Sequence, residues 1–103
     1  MRSSVKPTEV KSVATRRADD LRHLSFAEIE ALPERQDQTE FIRGKEIATA
    51  TYRDTLADGR IRIVVQAYHN RFLGIGTMTA DGFIIAPDGT RTAIPEDMMW
   101  EFV

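Results

Sequence analysis

The chain has no cysteine, and it has only two histidines, His23 and His69. The lack of cysteine excludes disulfides, thiolate nucleophiles and cysteine-bound zinc. Two histidines are too few for a multi-histidine metal site within one chain. A reducing compartment fits this composition. We therefore expect a cytoplasmic protein that carries neither a metal nor another cofactor.

Long apolar runs are also missing. No stretch approaches the ~18 apolar residues that a membrane-spanning helix needs, and the N-terminus lacks the apolar core of a secretory signal. We therefore expect no membrane partner. Of the 103 residues, 42% are hydrophobic and 29% are charged, which is typical of an ordinary globular protein. A chain of this length has room for one domain.

Charge is small overall but unevenly distributed. The formal net charge is −2, yet residues 1–24 have a balance of +3 and residues 25–103 have a balance of −5. Domains that bind nucleic acid usually carry a clear basic excess, and residues 25–103 lack one. The basic segment is instead suited to contact an acidic partner or the acidic remainder of the chain.

The basic segment has two possible structures. Residues 8–24 place several apolar side chains on roughly one face of a helix, which favours a helix docked on the rest of the chain. A short helix without tertiary packing is only marginally stable, so a basic tail over residues 1–24 is the alternative. In either case we expect residues 25–103 to form a single domain.

A firmer helix is predicted directly after this segment. Ser25 and Glu28 have the spacing of a capping box, in which the hydroxyl and the carboxylate each accept from a free backbone N–H. Pro33 ends the helix, because the residue before a proline avoids the helical region. We predict a helix over 26–32, followed by a charged linker over 33–40.

Three Asp-Gly pairs lie between apolar or β-branched runs farther along the chain. Asp-Gly favours the two-residue loop of a β-hairpin, since both loop positions need a positive φ. The pairs predict an α+β fold, an antiparallel meander of four or five strands with one face covered by short helices. The three pairs are Asp58-Gly59, Asp81-Gly82 and Asp88-Gly89. The predicted strands are 46–56, 60–68, 72–79, 83–86 and 91–94, and a helix over 95–102 follows.

The first Asp-Gly pair also predicts how the strands align. A two-residue loop at Asp58-Gly59 pairs Ala57 with Arg60, and in this register apolar residues face apolar ones. The third pair is compatible with a loop of two, three or four residues. The face that collects the polar residues carries Arg53, Arg62, Gln66 and Tyr68, and it is extended by Leu73 and Ile75.

This polar face is the predicted binding surface, with Arg53, Arg62, Gln66, Tyr68 and Ile75 as its key residues. Arginines and a tyrosine on a sheet are able to contact phosphates and stack on bases. The acidic balance of residues 25–103 disfavours nucleic acid, so a protein partner fits the face better. A domain this small also gains buried surface from a homodimer.

The predicted apolar face contains a strip of small residues around Gly74 and Gly76. Glycine inside a strand often marks a close approach by another group, here either a packed helix or a ligand beside His69. Asp54 is a second polar residue on this face, near the opposite end of the first hairpin. Gly74-Ile75-Gly76 lacks the third glycine and the following helix of a nucleotide-binding loop.

Together these patterns favour a small binding or adaptor module that presents an open sheet face to a protein partner or to a second copy. One alternative is a nucleic-acid-binding module that uses the face of Arg53, Arg62 and Tyr68. The other is a small enzyme or ligand carrier that uses the Gly74 and Gly76 strip near His69. No spacing indicates paired carboxylates or a nucleophile with its base, so we assign no catalytic residue.

Overall fold

The computed structural model describes residues 7–70 and 76–99, which form one antiparallel sheet of five strands in the order β1-β2-β3-β4-β5. The predicted α+β meander is therefore confirmed. The helices are α1 (Pro7–Arg22), α2 (Phe26–Glu30) and α3 (Glu96–Met99). The strands are β1 (Arg35–Ile42), β2 (Lys45–Thr55), β3 (Ile61–Asn70), β4 (Gly76–Ile85) and β5 (Arg91–Thr92).

Strand β1 occupies most of the segment for which a charged linker was predicted, so that prediction is wrong. β1 is an edge strand, and edge strands carry polar and charged residues that discourage pairing with other chains. The turn into β2 is formed by Arg43 and Gly44, whose φ angles are 50° and 78°. These positive values are those of a tight two-residue hairpin turn. The turn brings Ile42 opposite Lys45.

The first Asp-Gly pair makes a three-residue loop and not the predicted two-residue loop. The N–H of Leu56 donates to the carbonyl of Arg60 at 2.7 Å, and Gly59 takes the left-handed position with a φ of 91°. The N–H of Arg60 also donates to the side chain of Asp58 at 3.1 Å. Thr55 consequently pairs with Ile61, one position away from the predicted register.

This shift exchanges the two faces of β2 relative to the prediction, because alternate side chains point to opposite faces of a strand. Thr49 and Thr51 share a face with the apolar residues of β3, and they are 2% and 5% exposed. Ala48 and Ala50 lie on the other face. The predicted register, which pairs Ala57 with Arg60, is therefore wrong.

The other two Asp-Gly pairs differ from each other. Asp81 and Gly82 lie inside the continuous strand β4, which replaces the predicted strands 72–79 and 83–86 and the turn between them. Asp88 and Gly89 belong to a three-residue loop closed by Ala86 and Thr90, with the Ala86 N–H donating to the Thr90 carbonyl at 2.8 Å. The local chemistry of this loop repeats that of the first one, since Asp88 accepts from the N–H of Thr90 at 2.9 Å.

The basic N-terminal segment is the docked helix α1, and it lies on one face of the sheet. Burial of each valine or leucine side chain contributes ~1.5–3 kcal/mol, which stabilises a helix that is marginal alone. Arg16 donates to Glu40 at 2.9 Å and Arg17 donates to Gln36 at 3.2 Å, so this segment contacts the body of the chain. The buried apolar residues of α1 are Val10, Val13, Ala14, Ala18 and Leu21, and they pack on Ile47, Ile61, Ile63, Val65, Ala67, Phe83 and Ile85.

Helix α2 begins with the predicted capping box. The Ser25 hydroxyl accepts from the Glu28 N–H at 3.1 Å, and the Glu28 carboxylate accepts from the Ser25 N–H at 2.9 Å. The hydrogen bond from the Ser25 N–H to the carboxylate is the main cause that lowers the pKa of Glu28. The helix ends at Glu30, two residues before the predicted end, and its Ile29 is fully buried.

Helices cover the sheet differently from the prediction. α1 and α2 lie on the same face, which we call the helix-covered face. The segment around α3 lies on the opposite face, where the carbonyl of Met98 accepts from Arg62 at 3.2 Å. Residues 100–102 of the predicted C-terminal helix lie outside the described part. No helix among the described residues is long and apolar enough to span a membrane.

Candidate interaction surface

The face of the sheet opposite α1 is the candidate site, and we call it the open face. Alternation along β3 places Arg62, Val64, Gln66 and Tyr68 on it, since Ile61, Ile63, Val65 and Ala67 pack under α1. In the register of the sheet, Tyr68 lies between Ala48 of β2 and Met78 of β4. The pairing of Thr39 with Ala48 continues this row to β1.

One end of the open face is buried. Val64 is 0% exposed and Ile84 is 2% exposed, although neither lies under α1. The segment that follows β5 reaches this end, because a Cβ placed on Gly82 would lie 2.9 Å from the Cδ1 of Ile94. This end of the open face is therefore part of the protein interior.

The other end is exposed to solvent and apolar. Phe41 is 68% exposed and Met78 is 50% exposed, and these are the large hydrophobic side chains that stand out as exposed in the described ranges. Both lie on the open face. Met78 belongs to the row that contains Tyr68, and Phe41 lies two residues after Thr39, at the β1 end of that row. We call this region the exposed end, and it consists of Thr39, Phe41, Ala48, Tyr68 and Met78.

A shallow depression of about 460 Å³ lies at the exposed end. Its lining includes Thr39, Ala48 and Tyr68, together with Arg35 and Asp37 at the rim. The depression exists because a small alanine side chain stands next to a large tyrosine ring. It is open to solvent.

The cation at the rim of the depression is held in place by its neighbours. Arg35 donates to the carboxylate of Asp37 at 3.2 Å, and its guanidinium lies 5.3 Å from the ring centre of Tyr52. The hydrogen bond to Asp37 and the attraction of that carboxylate raise the pKa of Arg35. Because Arg35 and Asp37 carry opposite charges, the net charge at the rim is close to zero.

The second arginine of the open face is paired as well. Arg62 donates to the carboxylate of Asp54 at 2.6 Å and to the carbonyl of Met98. Its side chain is only 12% exposed. Arg35 and Arg62 are thus both balanced by carboxylates. Within the described part of the chain, the open face has no basic track along which a phosphate backbone would bind.

Of the five predicted binding residues, the structure brings together Arg62, Gln66 and Tyr68 on the open face. Ile75, and with it Leu73, lies outside the described residues. The placement of Arg53 on this face is wrong, because the register is shifted by one residue. The Nε of Arg53 donates to the carbonyl of Leu32 at 2.7 Å, so this side chain attaches the segment after α2 to the sheet.

The alternative pocket is not assembled as predicted. Gly74 lies outside the described residues, and Gly76 is the first residue of β4. His69 belongs to the register of the helix-covered face, and its Nδ1 lies 2.9 Å from the carbonyl of Glu46. Asp54 lies on the open face, so the prediction that these two residues share one face is wrong.

Sequence reasoning missed four residues of the open face: Arg35, Phe41, Tyr52 and Met78. The first two lie in β1, whose polar sequence lacks the apolar alternation that signals a strand. Tyr52 requires the observed register of β2 and β3, and Met78 requires the continuous strand β4. Arg43-Gly44 was the available signal, since a glycine in a short polar stretch before a β-branched run is compatible with a hairpin turn.

A second cavity of about 460 Å³ lies near the end of β5. Two arginines line it, but both donate hydrogen bonds within the chain: Arg22 to Asp81 and Gly82, and Arg91 to the carbonyl of Leu24. Among residues 7–70 and 76–99, no cluster of His, Asp or Glu side chains is placed to hold a metal ion. The exposed end is therefore the better candidate site.

Comparison of the chain with protein-family models, curated proteins and solved structures finds no match. The interpretation of function consequently depends on the geometry of the open face alone.

Proposed function

We propose that this protein is a binding module that receives an apolar side chain of a partner protein at the exposed end of its sheet. The observation that carries the proposal is the exposure of Phe41 and Met78 beside the depression at Ala48 and Tyr68. Large apolar side chains cost free energy when they remain in water. Phenylalanine, tyrosine, methionine and arginine are also enriched where proteins contact each other.

The dimensions of the exposed end suit a short segment of a partner. The row of Thr39, Ala48, Tyr68 and Met78 crosses four strands, which span about 15 Å at roughly 4.8 Å per strand. Even a square patch of about 15 Å on each side has an area of only about 225 Å², well below the ~800 Å² that each partner buries in a standard interface. A loop or an extended peptide that inserts one aromatic or aliphatic residue fits these dimensions.

Nucleic acid is the less favoured ligand. Stacking on Tyr68 would need cations beside it to contact phosphates, and Arg53 lies on the other face. Arg62 contacts Asp54 and the Met98 carbonyl, while Arg35 contacts Asp37. A neutral, partly apolar surface supports a protein ligand instead.

Selection of peptides from a random library on the immobilised chain tests the proposal. We expect the enriched peptides to share an aromatic or aliphatic anchor. Ala48→Arg fills the depression and should weaken their binding at least tenfold in Kd, because a buried anchor residue carries most of the affinity of such contacts. Lys11→Glu, an exposed site on α1, is the matched control and should leave Kd unchanged.

Two results would overturn the proposal. One is that no apolar peptide is enriched, or that the enriched peptides bind Ala48→Arg and wild type equally well. The other is that single-stranded oligonucleotides bind at low salt with an affinity that falls steeply as salt rises. The second result would establish the nucleic-acid alternative.

A further inference from the structure

Among residues 7–70 and 76–99, strand β4 has no neighbouring strand along one edge over most of its length. Only Ile84 and Ile85 pair with β5, whereas β4 begins at Gly76. In an antiparallel ladder, alternate residues point their N–H and C=O groups toward the same side. The hydrogen bond between Ala86 and Thr90 fixes this alternation, so Gly82, Ala80, Met78 and Gly76 direct theirs toward the edge.

At Gly82, side chains already form hydrogen bonds with the backbone groups that point toward this edge. The N–H of Gly82 donates to the Asp81 carboxylate at 2.7 Å, and its carbonyl accepts from Arg22 at 2.9 Å. Arg22 lies 3.3 Å from Asp81 and stands over the ring of Phe83 at 5.4 Å. The pairing groups that remain along this edge, within the described part of the chain, are those of Gly76, Met78 and Ala80.

The remaining stretch lacks the protection that the opposite edge of the sheet has. β1 carries Arg35, Asp37 and Glu40, and charges on an edge strand discourage pairing with other chains. Residues 77–80 of β4 read Thr-Met-Thr-Ala and carry no charge. Met78 is half exposed beside this edge.

We propose that a second copy of this chain adds its own β4 to this edge, antiparallel and with the two-fold axis at Thr79. This register pairs Met78 with Ala80 of the second copy and Ala80 with Met78 of the second copy. Both pairs exchange N–H and C=O hydrogen bonds, so the four groups of Met78 and Ala80 on each chain are all used. Gly76 comes opposite Gly82 of the second copy, where the pairing ends. Asp81 comes opposite position 77, which is a threonine, and Arg22 already balances its charge.

Self-complementarity favours a second copy over an unrelated strand. A strand with the same two outward-pointing residues around a central threonine pairs Met78 and Ala80 in both directions, and the Gly82 of each copy ends the pairing at the same distance from the axis. The arrangement also places the two exposed ends side by side on one continuous face, because Tyr68 and Met78 lie next to the new seam. The pairing itself does not depend on the proposed binding of a partner.

The absence of cysteine allows a direct test of this register. At the axis, Thr79 would face itself in a non-hydrogen-bonded pair, where Cα atoms lie about 4.5 Å apart, within the range that a disulfide bridges. The full-length Thr79→Cys variant should therefore oxidise rapidly to a covalent dimer. The matched control is Thr39→Cys on the β1 edge, which should form dimers at least tenfold more slowly.

Sedimentation of the wild-type chain from micromolar to millimolar concentration provides an independent measurement. We expect a reversible shift from the chain mass of 11.7 kDa toward twice that value. Ala80→Lys should weaken the dimer at least tenfold in Kd, while Thr39→Lys should not change it. Strict monomers at all concentrations, or equal oxidation of both cysteine variants, would overturn the proposal. Peptide binding by a monomeric Ala80→Lys chain would show that the proposed function stands without the dimer.

Discussion

Replacing Gly82 by alanine should destabilise the fold strongly. A Cβ on Gly82 would lie 2.1 Å from the carbonyl oxygen of Ile63 and 2.9 Å from the Cδ1 of Ile94. The first neighbour is backbone of the central strand β3, which cannot move aside as a flexible side chain would. The same residue provides the N–H and C=O that Asp81 and Arg22 cap.

The expected magnitude follows from the size of this clash. Ordinary contacts of a Cβ begin at 3.4 Å, so β3 and β4 would have to separate by more than about 1 Å. Overpacking of a well-packed interior costs typically ~1–3 kcal/mol, and we expect the upper end, about 3 kcal/mol. For a domain of this size each kcal/mol lowers Tm by roughly 4 °C or more, which gives a decrease of about 12 °C.

Urea denaturation and thermal unfolding of Gly82→Ala measure this effect. The matched control is Ala80→Gly, two residues earlier on the same strand, which removes a methyl group and should cost only ~0.5–1 kcal/mol through added chain entropy. A free energy of unfolding for Gly82→Ala within about 0.5 kcal/mol of wild type would refute the close approach of Gly82 to β3.

Three further predictions concern polar contacts. Arg22→Met should lower the free energy of unfolding, measured by urea denaturation, by ~1–2 kcal/mol, because it removes a charged donor from the Gly82 carbonyl and from Asp81. An unchanged free energy of unfolding would contradict these hydrogen bonds at the edge of β4. Arg53→Met should likewise destabilise the chain by ~1 kcal/mol but leave the Kd of the selected peptides unchanged. A loss of peptide binding in this variant would contradict the placement of Arg53 on the helix-covered face. Hydrogen bonds from Arg60 lower the pKa of Asp58, and hydrogen bonds from Thr90 lower the pKa of Asp88. These hydrogen bonds therefore stabilise the fold fully above the unfolded pKa of about 3.9. Their stabilisation is lost as pH falls through the lower pKa values of the folded state. The double variant Asp58→Asn, Asp88→Asn should therefore show less loss of stability between pH 5 and pH 2 by urea titration, and an identical pH dependence would be the contrary result.

Features that depend on neighbours in the sequence were predictable. The Ser25 and Glu28 pair forms its capping box because each partner is within reach along the chain. Asp58-Gly59 and Asp88-Gly89 were recognised as turns for the same reason. Their loop length was not predictable from the pair alone, since Asp-Gly suits both a two-residue loop and a three-residue loop with glycine in the left-handed position.

Features that depend on distant parts of the chain were not predictable. Gly82 follows an aspartate just as Gly59 does, but it lies inside β4 because the chain passes close to Ile63 there. β1 was missed because an edge strand gains stability from its ladder with β2 and not from an apolar pattern of its own. In each case the decisive partner lies on another strand.

The residues of the candidate site were predicted only in part, because some of them depend on partners from other strands. Alternation within β3 was sufficient to place Arg62, Gln66 and Tyr68 together, whatever the register. Residues of β2 required the register to be correct, so Arg53 was placed on the wrong face. Phe41 and Met78 required β1 and an unbroken β4, and neither was visible in the sequence pattern.

Backbone amide chemical shifts, recorded during titration with a selected apolar peptide, locate the binding surface most directly. We expect the largest shifts at Thr39, Ala48 and Tyr68, and we expect them to disappear in Ala48→Arg. The amides of α1 and of Arg53 should remain unchanged. Shifts that cluster on α1 or on the helix-covered face would contradict the claim that the exposed end of the open face is the binding surface.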